Sequence, residues 1–209
     1  MNWPWRPFQQ DGKYGYIDRL GDTMVKPVWD DVLNGKSLCP LDYYSHHMLL
    51  PVKLGDKWGM VNGDNELLIP PRFDKMGGFF ECDDGKQYAN VAIKQGQEFL
   101  TALISADGTI IVGPLKDADV ILPNGFVIFS KVVGKKVRCG IRSFNEMIVV
   151  PCKYTTIHVC PTNIRMVTLS KVDCDEGCRD IYRIQLYSNY PNAEVFRTEA
   201  GNGYVISLN

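Results

Sequence analysis

Four cysteines are the residues of this chain best suited to metal chemistry. Cys174 and Cys178 are separated by three residues, and Cys152 and Cys160 by seven. Four thiolates are the number that a tetrahedral zinc site needs. These spacings do not match the usual zinc signatures, so we expect the segment Asp-Cys-Asp-Glu-Gly-Cys to form a hairpin turn instead. We predict no metal and no cofactor, while zinc remains the alternative.

Two adjacent histidines, His46 and His47, are the residues best suited to acid–base chemistry, with Asp42 nearby. Neighbouring side chains on a strand point in opposite directions, which makes shared metal binding by this pair unfavourable. No nucleophile motif, zinc-protease motif or nucleotide-binding loop accompanies them. We therefore expect that the chain is not an enzyme.

The composition narrows the classes of partner and compartment. The chain has 209 residues, 45% of them hydrophobic, and a formal net charge of −1. It lacks the basic face that nucleic-acid binding requires and an apolar stretch of membrane-spanning length. The N-terminal residues do not resemble a secretory signal, and seven cysteines without framework-like spacing favour free thiols. We expect a cytoplasmic protein that binds neither nucleic acid nor membrane.

An internal repeat organises most of the chain. The segment Lys-Tyr-Gly-Tyr-Ile-Asp from residue 13 returns as Lys-Trp-Gly-Met-Val-Asn from residue 57. We number each copy from its central small residue, called position 0; the four are Gly15, Gly59, Ala102 and Gly140. The first two copies share a proline at +12, an aromatic residue at +14 and an aspartate at +15. The third lacks the +14 aromatic and has Asp117 at +15, and the fourth has its proline at +11. The chain therefore contains a degenerate tandem repeat.

Each copy predicts three strands separated by two tight turns. Glycine-containing turns precede position 0, polar turns follow it, and short β-branched and aromatic runs lie between them. We predict an all-β fold of about four to five degenerate three-stranded antiparallel meander repeats. The units lie near residues 11–32, 55–76, 97–118 and 134–159, within a repeat region of residues 1–159. Residues 160–209 are predicted to form a C-terminal β-hairpin region, either a degenerate fifth repeat or a cap.

Glycine at position 0 indicates that another group approaches the backbone closely, because a glycine within a strand otherwise weakens it. We infer that an aromatic side chain from a neighbouring strand lies over this glycine, with the +14 residue as the candidate. The proline at +11 or +12 cannot donate to a ladder and therefore predicts a strand end or an edge strand. The aspartate at +15 is predicted to accept hydrogen bonds in the following turn.

These motifs resemble the WG-repeat family, whose units have the form GKWGYID, then glycine, then VIPP-x-YD. Residues 55–74 are a close match and residues 11–31 a good one, whereas the third and fourth copies match partially. The resemblance implies a β-rich array used for binding, of a kind that occurs in bacterial proteins of mostly undetermined role, and it carries over no catalytic residues. Uneven units with unlike ends favour an open solenoid-like array over a closed propeller.

The candidate partner-binding residues lie in the insertions that follow the first two copies, because insertions in repeat proteins often form the recognition face. They combine aromatic area with polar tips, which suits a protein interface. The candidates are Tyr43, Tyr44, His46, His47, Phe79, Phe80, Glu81 and Asp83. Alternatively, Phe79 and Phe80 begin a core strand.

Taken together, the sequence predicts a monomeric, non-catalytic module that binds another protein, of a bacterial immunity or inhibitor type. The alternatives are a zinc-dependent enzyme and a small-molecule or glycan-binding array, since exposed tyrosine and tryptophan stack on flat ligands.

Overall fold

The fold was analysed in a computed structural model that describes residues 5–32, 49–82, 85–160, 163–173, 178–187, 196–198 and 203–207. Every helix or strand element in these ranges is a strand, which confirms the predicted all-β class. The described ranges contain no helix that is long and apolar enough to cross a membrane. Contacts divide the chain into two compact units, Met1–Pro114 and Leu115–Asn209. The predicted repeat region, residues 1–159, is defined by motif rather than by contacts and stays a prediction.

The strands of the described residues form five sheets, none of which closes into a barrel. The first sheet contains β1 (Trp5–Gln10), β2 (Lys13–Asp18) and β3 (Thr23–Trp29). The second contains β4 (Asp31–Val32), β5 (Leu50–Leu54), β6 (Lys57–Val61) and β7 (Leu67–Phe73). The third contains β8 (Lys75–Met76), β9 (Phe80–Glu81), β10 (Gln87–Gln95), β11 (Glu98–Ser105) and β12 (Ile110–Leu115).

The last two sheets belong to the second unit. The fourth contains β13 (Val120–Leu122), β14 (Phe126–Val133), β15 (Lys136–Ser143) and β16 (Ile148–Tyr154). The fifth contains β17 (Thr156–Cys160), β18 (Asn163–Asp173), β19 (Cys178–Tyr187), β20 (Phe196–Thr198) and β21 (Gly203–Ser207). The fifth sheet begins like the others but departs at its next strand, because β21 pairs with β19 in parallel.

The sheets are offset from the sequence repeats by one short strand. After its +15 position, each of the four copies continues into a short strand that pairs with the first long strand of the next sheet. These pairs are β4 with β5, β8 with β10, β13 with β14 and β17 with β18. Each sequence repeat therefore contributes strands to two sheets.

One turn geometry recurs in all four copies, including the two that barely resemble the motif. The backbone N–H of position +3 donates to the carbonyl of position +7 over 2.9–3.0 Å, and the N–H of +6 donates to the carbonyl of +3. Position +6 has a positive φ in every copy, and its residues are Gly21, Asn65, Gly108 and Glu146. Four copies of the repeat are therefore present in the backbone as well as in the sequence.

The close approach predicted at position 0 is confirmed, but the approaching group is different in the first two copies. A Cβ on Gly59 would overlap the backbone carbonyl of Ile69 and lie 2.7 Å from the nitrogen of Pro71. Gly15 has the same surroundings in the first copy. The neighbouring strand bulges at this point, as the register shift between β6 and β7 shows, so that its backbone takes the space of a side chain.

An aromatic ring from a neighbouring strand does approach the glycine of the fourth copy, as inferred, but it is not that of the +14 residue. A Cβ on Gly140 would lie 2.9 Å from the ring of Phe129 on β14 and 2.8 Å from the carbonyl of Val150. The inference that the +14 aromatic covers the glycine is therefore wrong. The +14 residues Trp29, Phe73 and Tyr154 are instead buried in the core, and the clusters that contain Trp29 and Phe73 include residues of the following copy.

The prolines at +11 and +12 lie on edge strands, as predicted. Pro27, Pro71, Pro114 and Pro151 belong to β3, β7, β12 and β16, and each of these strands is the last in its sheet. A proline lacks the N–H that would otherwise point outward from such an edge, so it limits uncontrolled pairing there.

Candidate functional site

The predicted partner-binding residues divide into two groups. Tyr43, Tyr44, His46, His47 and Asp83 lie outside the described residues, as does the side chain of Glu81. Phe79 and Phe80 are described, and each is only 1% exposed. Phe79 packs with Met76 and Ala89 in the core of the first unit. Their burial removes these two phenylalanines from the candidate surface and matches the alternative in which they are core residues.

The described residues contain no group of three or more histidine, cysteine or acidic side chains that could hold a metal. Cys174 lies outside the described ranges, as do the side chains of Cys160 and Cys178. Cys152 is a half-buried free thiol that donates to the carbonyl of Arg138 at 2.8 Å. His158 is exposed on β17.

The +15 aspartates connect one sheet to the next in the first unit. Asp74 accepts a hydrogen bond from the ammonium of Lys57 at 2.6 Å and one from the backbone N–H of Lys94 at 2.7 Å. Asp30 is held in the same way by Lys13 and by the N–H of Gly55. In both cases the lysine hydrogen bond is the main cause that lowers the pKa of the carboxyl. The +15 aspartates thus accept hydrogen bonds as predicted, but these donors lie 17 to 25 residues away rather than in the turn itself.

The third copy corrects the position of this aspartate. The N–H of Asp119 donates to the carbonyl of Ile128 at 2.9 Å, the bond that Asp74 makes to Ala92 in the second copy. Asp117, which we placed at +15 by sequence spacing, lies two residues too early in the turn before β13. The third copy therefore carries a two-residue insertion before the equivalent aspartate, and spacing alone could not locate it.

Exposed apolar residues recur at the start of the edge strands. Two adjacent ones lie at positions +7 to +9 of the second, third and fourth copies, and we call them the outer-edge pairs. They are Leu67 and Leu68, Ile110 and Ile111, and Met147 and Ile148, each 41–52% exposed. Successive side chains of a strand point to opposite faces, so each pair places apolar surface on both sides of its edge.

A groove of 610 Å³ lies beside the outer-edge pair of the third copy. It is lined by Arg72, Phe73, Ile93, Asp107, Gly108, Thr109 and Ile110. The guanidinium of Arg72 donates to the carbonyl of Gly108 at 2.6 Å and lies 5.0 Å from the centre of the Phe73 ring. These two contacts hold the arginine at the groove with its cationic group oriented.

A fixed negative charge lies in the same groove. Asp107 accepts hydrogen bonds from the hydroxyl of Ser105 at 2.5 Å and from the N–H of Thr109 at 2.9 Å. These bonds, the one from Ser105 first, lower the pKa of Asp107 to about 2. The groove therefore presents a cation and an anion around the apolar side chains of Phe73, Ile93 and Ile110, which suits a polypeptide better than a purely apolar ligand.

The model of the WG containing repeat family matches residues 14–34 and 58–91. These two stretches therefore carry WG-containing repeats. The matched stretches cover the core motifs of the first two copies and extend from the second into β10, whereas the third and fourth copies are recognised by their turns. This finding confirms the resemblance that the sequence motifs indicated.

Comparisons with individual proteins add little to the family match. No curated protein matches the sequence significantly. One similar solved structure is described as a crystal structure of the eukaryotic initiation factor, with a TM-score of 0.46 and 9% identity. The alignment covers 82% of this chain and 46% of that chain, so the WG-repeat chain spans about half of that protein's length.

Sequence reasoning missed the outer-edge pairs and the groove. A usable signal was present, because each pair consists of two adjacent apolar residues four and three positions before the edge-strand proline. Adjacent apolar residues in a one-sided sheet cannot both face the core, so one of each pair must be exposed. Arg72 and Asp107 had no such signal, since they meet only through the packing of two consecutive sheets.

Proposed function

We propose that this WG-repeat chain is a non-catalytic protein-binding module that acts as a monomer in the bacterial cytoplasm, in the manner of an immunity or inhibitor protein. The observation that carries the proposal is the recurrence of the outer-edge pairs. Isolated exposed apolar residues are common on protein surfaces, but here the same position of the repeat is apolar and exposed in three copies. A partner protein that covers these edges would remove that apolar surface from water.

The groove beside Ile110 supports a polypeptide partner in particular. Arginine is enriched at interface positions that contribute most to binding, and Arg72 is already oriented by its bond to Gly108. Less conformational entropy is lost when such a residue binds, because its rotamer is fixed beforehand. Asp107 stays ionised at neutral pH and adds a charge of opposite sign, which favours partners with a matching pair of charges.

The proposal is tested by affinity capture from a lysate of the native host, using tagged wild-type protein and the double variant Ile110→Ser/Ile111→Ser. Both side chains are about half exposed, so the substitutions should leave the fold intact. We expect the wild type to retain one protein that the double variant loses by at least about tenfold, as for an interface residue worth more than 1.4 kcal/mol.

Leu20→Ser provides the matched control. Leu20 is 88% exposed in the turn of the first copy and belongs to no outer-edge pair. Its substitution therefore removes an exposed apolar side chain away from the proposed surface. The control should retain the partner. Equal retention by the double variant, or equal loss by the control, would contradict the proposal. Elemental analysis of the same purified protein tests the zinc alternative, which one equivalent of zinc per chain would favour.

A further inference from the structure

The first sheet differs from the other four at one edge. In those four sheets, a short strand from the preceding repeat covers the free side of the first long strand. Within the described residues, β1 pairs with β2 alone. Among the described residues, none therefore occupies on β1 the position that β4 occupies on β5.

β1 is otherwise built like β5. Phe8 lies opposite Gly15 just as Val52 lies opposite Gly59, so the two strands share one register relative to position 0. Pro7 corresponds to Pro51 in this register. Since a proline cannot donate to a neighbouring strand, both strands restrict pairing on this side to a short segment.

The backbone groups that bind β4 have direct counterparts on β1. The backbone carbonyl of Lys53 accepts a hydrogen bond from the N–H of Asp30 at 2.9 Å, and the N–H of Gly55 donates to the carboxylate of the same aspartate at 2.7 Å. The corresponding residues are Gln9 and Asp11, and Asp11 shares the positive φ of Gly55. The N–H and carbonyl of Gln9 point away from β2, because the residues that flank a two-residue hairpin turn, Gln10 and Lys13, form the hydrogen-bonded pair.

The exposure of the side chains is consistent with this difference. Val52 is 0% exposed and packs in one cluster with Val32, whereas its counterpart Phe8 is half-buried. Lys53 is half-buried, and its counterpart Gln9 is exposed. Within the described residues, the edge of β1 thus has the geometry of the covered edges and no short strand paired to it.

The four short strands define the chemistry that such an edge accepts. Each is preceded by a residue at the aspartate position whose N–H donates to the long strand over 2.8–3.0 Å. That residue is aspartate in the first three copies and threonine in the fourth. The residue before it is aromatic in the first, second and fourth copies. An aliphatic residue lies two positions after it in all four copies. The buried aliphatic residues are Val32, Met76, Ile121 and Ile157.

We propose that the outer edge of β1 binds an extended segment of another protein chain with the pattern aromatic, aspartate, any residue, aliphatic. The four short strands already pair with β5, β10, β14 and β18, and two of them follow the full pattern. The proposed occupant is therefore a segment of another protein chain. The inference rests on the proposed protein-binding function but uses a surface separate from the outer-edge pairs. The two proposals can therefore fail separately.

The test uses a fluorescein-labelled peptide with the sequence of residues 27–32, Pro-Val-Trp-Asp-Asp-Val, and the full-length protein. Fluorescence polarisation should show saturable binding. Replacing the first aspartate of the peptide by alanine should weaken binding about tenfold, because it removes a charge-assisted hydrogen bond to the N–H of Asp11. Hydrogen exchange of the Gln9 and Asp11 amides should slow when the wild-type peptide is added.

Two protein variants locate the site by a difference in one backbone group. Gln9→Pro removes the outward N–H of β1 without removing a hydrogen bond to β2, so it should abolish peptide binding. Gln9→Ala changes the same side chain but keeps the N–H, so it should bind like the wild type. The urea midpoints of both variants confirm that each has folded.

Each opposite result overturns the inference. These results are no saturable binding, equal affinity for the alanine peptide, or binding by Gln9→Pro equal to that by Gln9→Ala. Protection of the Gln9 amide before any peptide is added would also overturn it, because the edge would then be covered by the chain's own residues. The outer-edge variant Ile110→Ser/Ile111→Ser should bind the peptide normally, which keeps failure here distinct from failure of the proposed function.

Discussion

The second and third copies of the repeat have the same backbone turn but very different sequences. The second copy has Gly59 at position 0 and Phe73 at +14, and the family model matches it. The third has Ala102 at position 0 and no aromatic residue at +14, yet its turn makes the same two hydrogen bonds with lengths that differ by at most 0.2 Å. The turn geometry therefore depends on fewer residues than the recognisable motif does.

The difference shows which residues define the turn and which define the packing. The turn requires a small polar residue at +3, which is Asn62 in the second copy and Ser105 in the third, and a residue that tolerates positive φ at +6. The motif glycine and aromatic residue instead fit one strand against its neighbour. The third copy has replaced this fit, and a buried Cβ at Ala102 now lies where the second copy has backbone atoms.

The largest expected effect is that of adding a Cβ in the second copy. Gly59→Ala should lower the free energy of unfolding by about 3 kcal/mol, because the new atom overlaps the backbone of Ile69 and Pro71 and cannot be relieved by a side-chain rotation. The reverse change in the third copy, Ala102→Gly, should cost only about 1 kcal/mol. Urea unfolding measures both. Equal costs would show that the two positions are packed alike.

A fall in pH should change the stability contributed by Asp74 of the second copy and Asp119 of the third copy in opposite directions. The pKa of Asp74 is lowered below 3.8, first by its bond to Lys57, so its contribution is present above the unfolded value and is lost as pH falls through the folded pKa. Asp74→Ala should therefore destabilise by about 1 kcal/mol at pH 7 and by less near pH 2. Unfolding at a series of pH values measures this; a cost that did not shrink in acid would contradict it.

Burial raises the pKa of Asp119, while a hydrogen bond from Ser130 partly opposes the shift. Its charged form is therefore less favourable in the folded state than in the unfolded state, so the wild type loses stability as pH rises from 3.8 through the raised pKa of the folded state. Asp119→Asn should stabilise the protein by a few tenths of a kcal/mol at pH 7 and by progressively less as pH falls toward 3.8. Thermal unfolding at pH 7 and pH 4 tests the sign. A destabilised variant at pH 7 would show that the charge of Asp119 is needed.

The smallest expected effect concerns position +6 of the turn. Glu146 has a φ of 63°, a conformation that is costly for a residue with a side chain, and its ion pair with Arg142 is long at 3.9 Å. Glu146→Gly should stabilise the protein by about 0.5 kcal/mol. Gly108→Asn in the third copy should do the opposite, because a Cβ there would lie 2.9 Å from Arg72. Thermal midpoints of the two variants should move in opposite directions.

The sequence predicted the strands, the turns and the edge prolines because each depends on local chemistry. Glycine and small polar residues favour turns, and proline is disfavoured in the inner strands of a sheet. It misassigned Asp117 because the insertion in the third copy changes spacing without changing the turn. It did not predict the bulge against Gly59 or the groove at Arg72, because both result from the contact of chain segments that the repeat pattern treats as independent.

Each repeat contributes a short strand to the next sheet, and this arrangement has a consequence for synthesis on the ribosome. When the third long strand of the second, third or fourth sheet emerges, the short strand that completes that sheet has already been made. Chains are synthesised at about 5–20 residues per second, which is slow compared with hairpin formation. These sheets can therefore close one after another from the N-terminus, and none of the three has to wait for residues that are still to be translated.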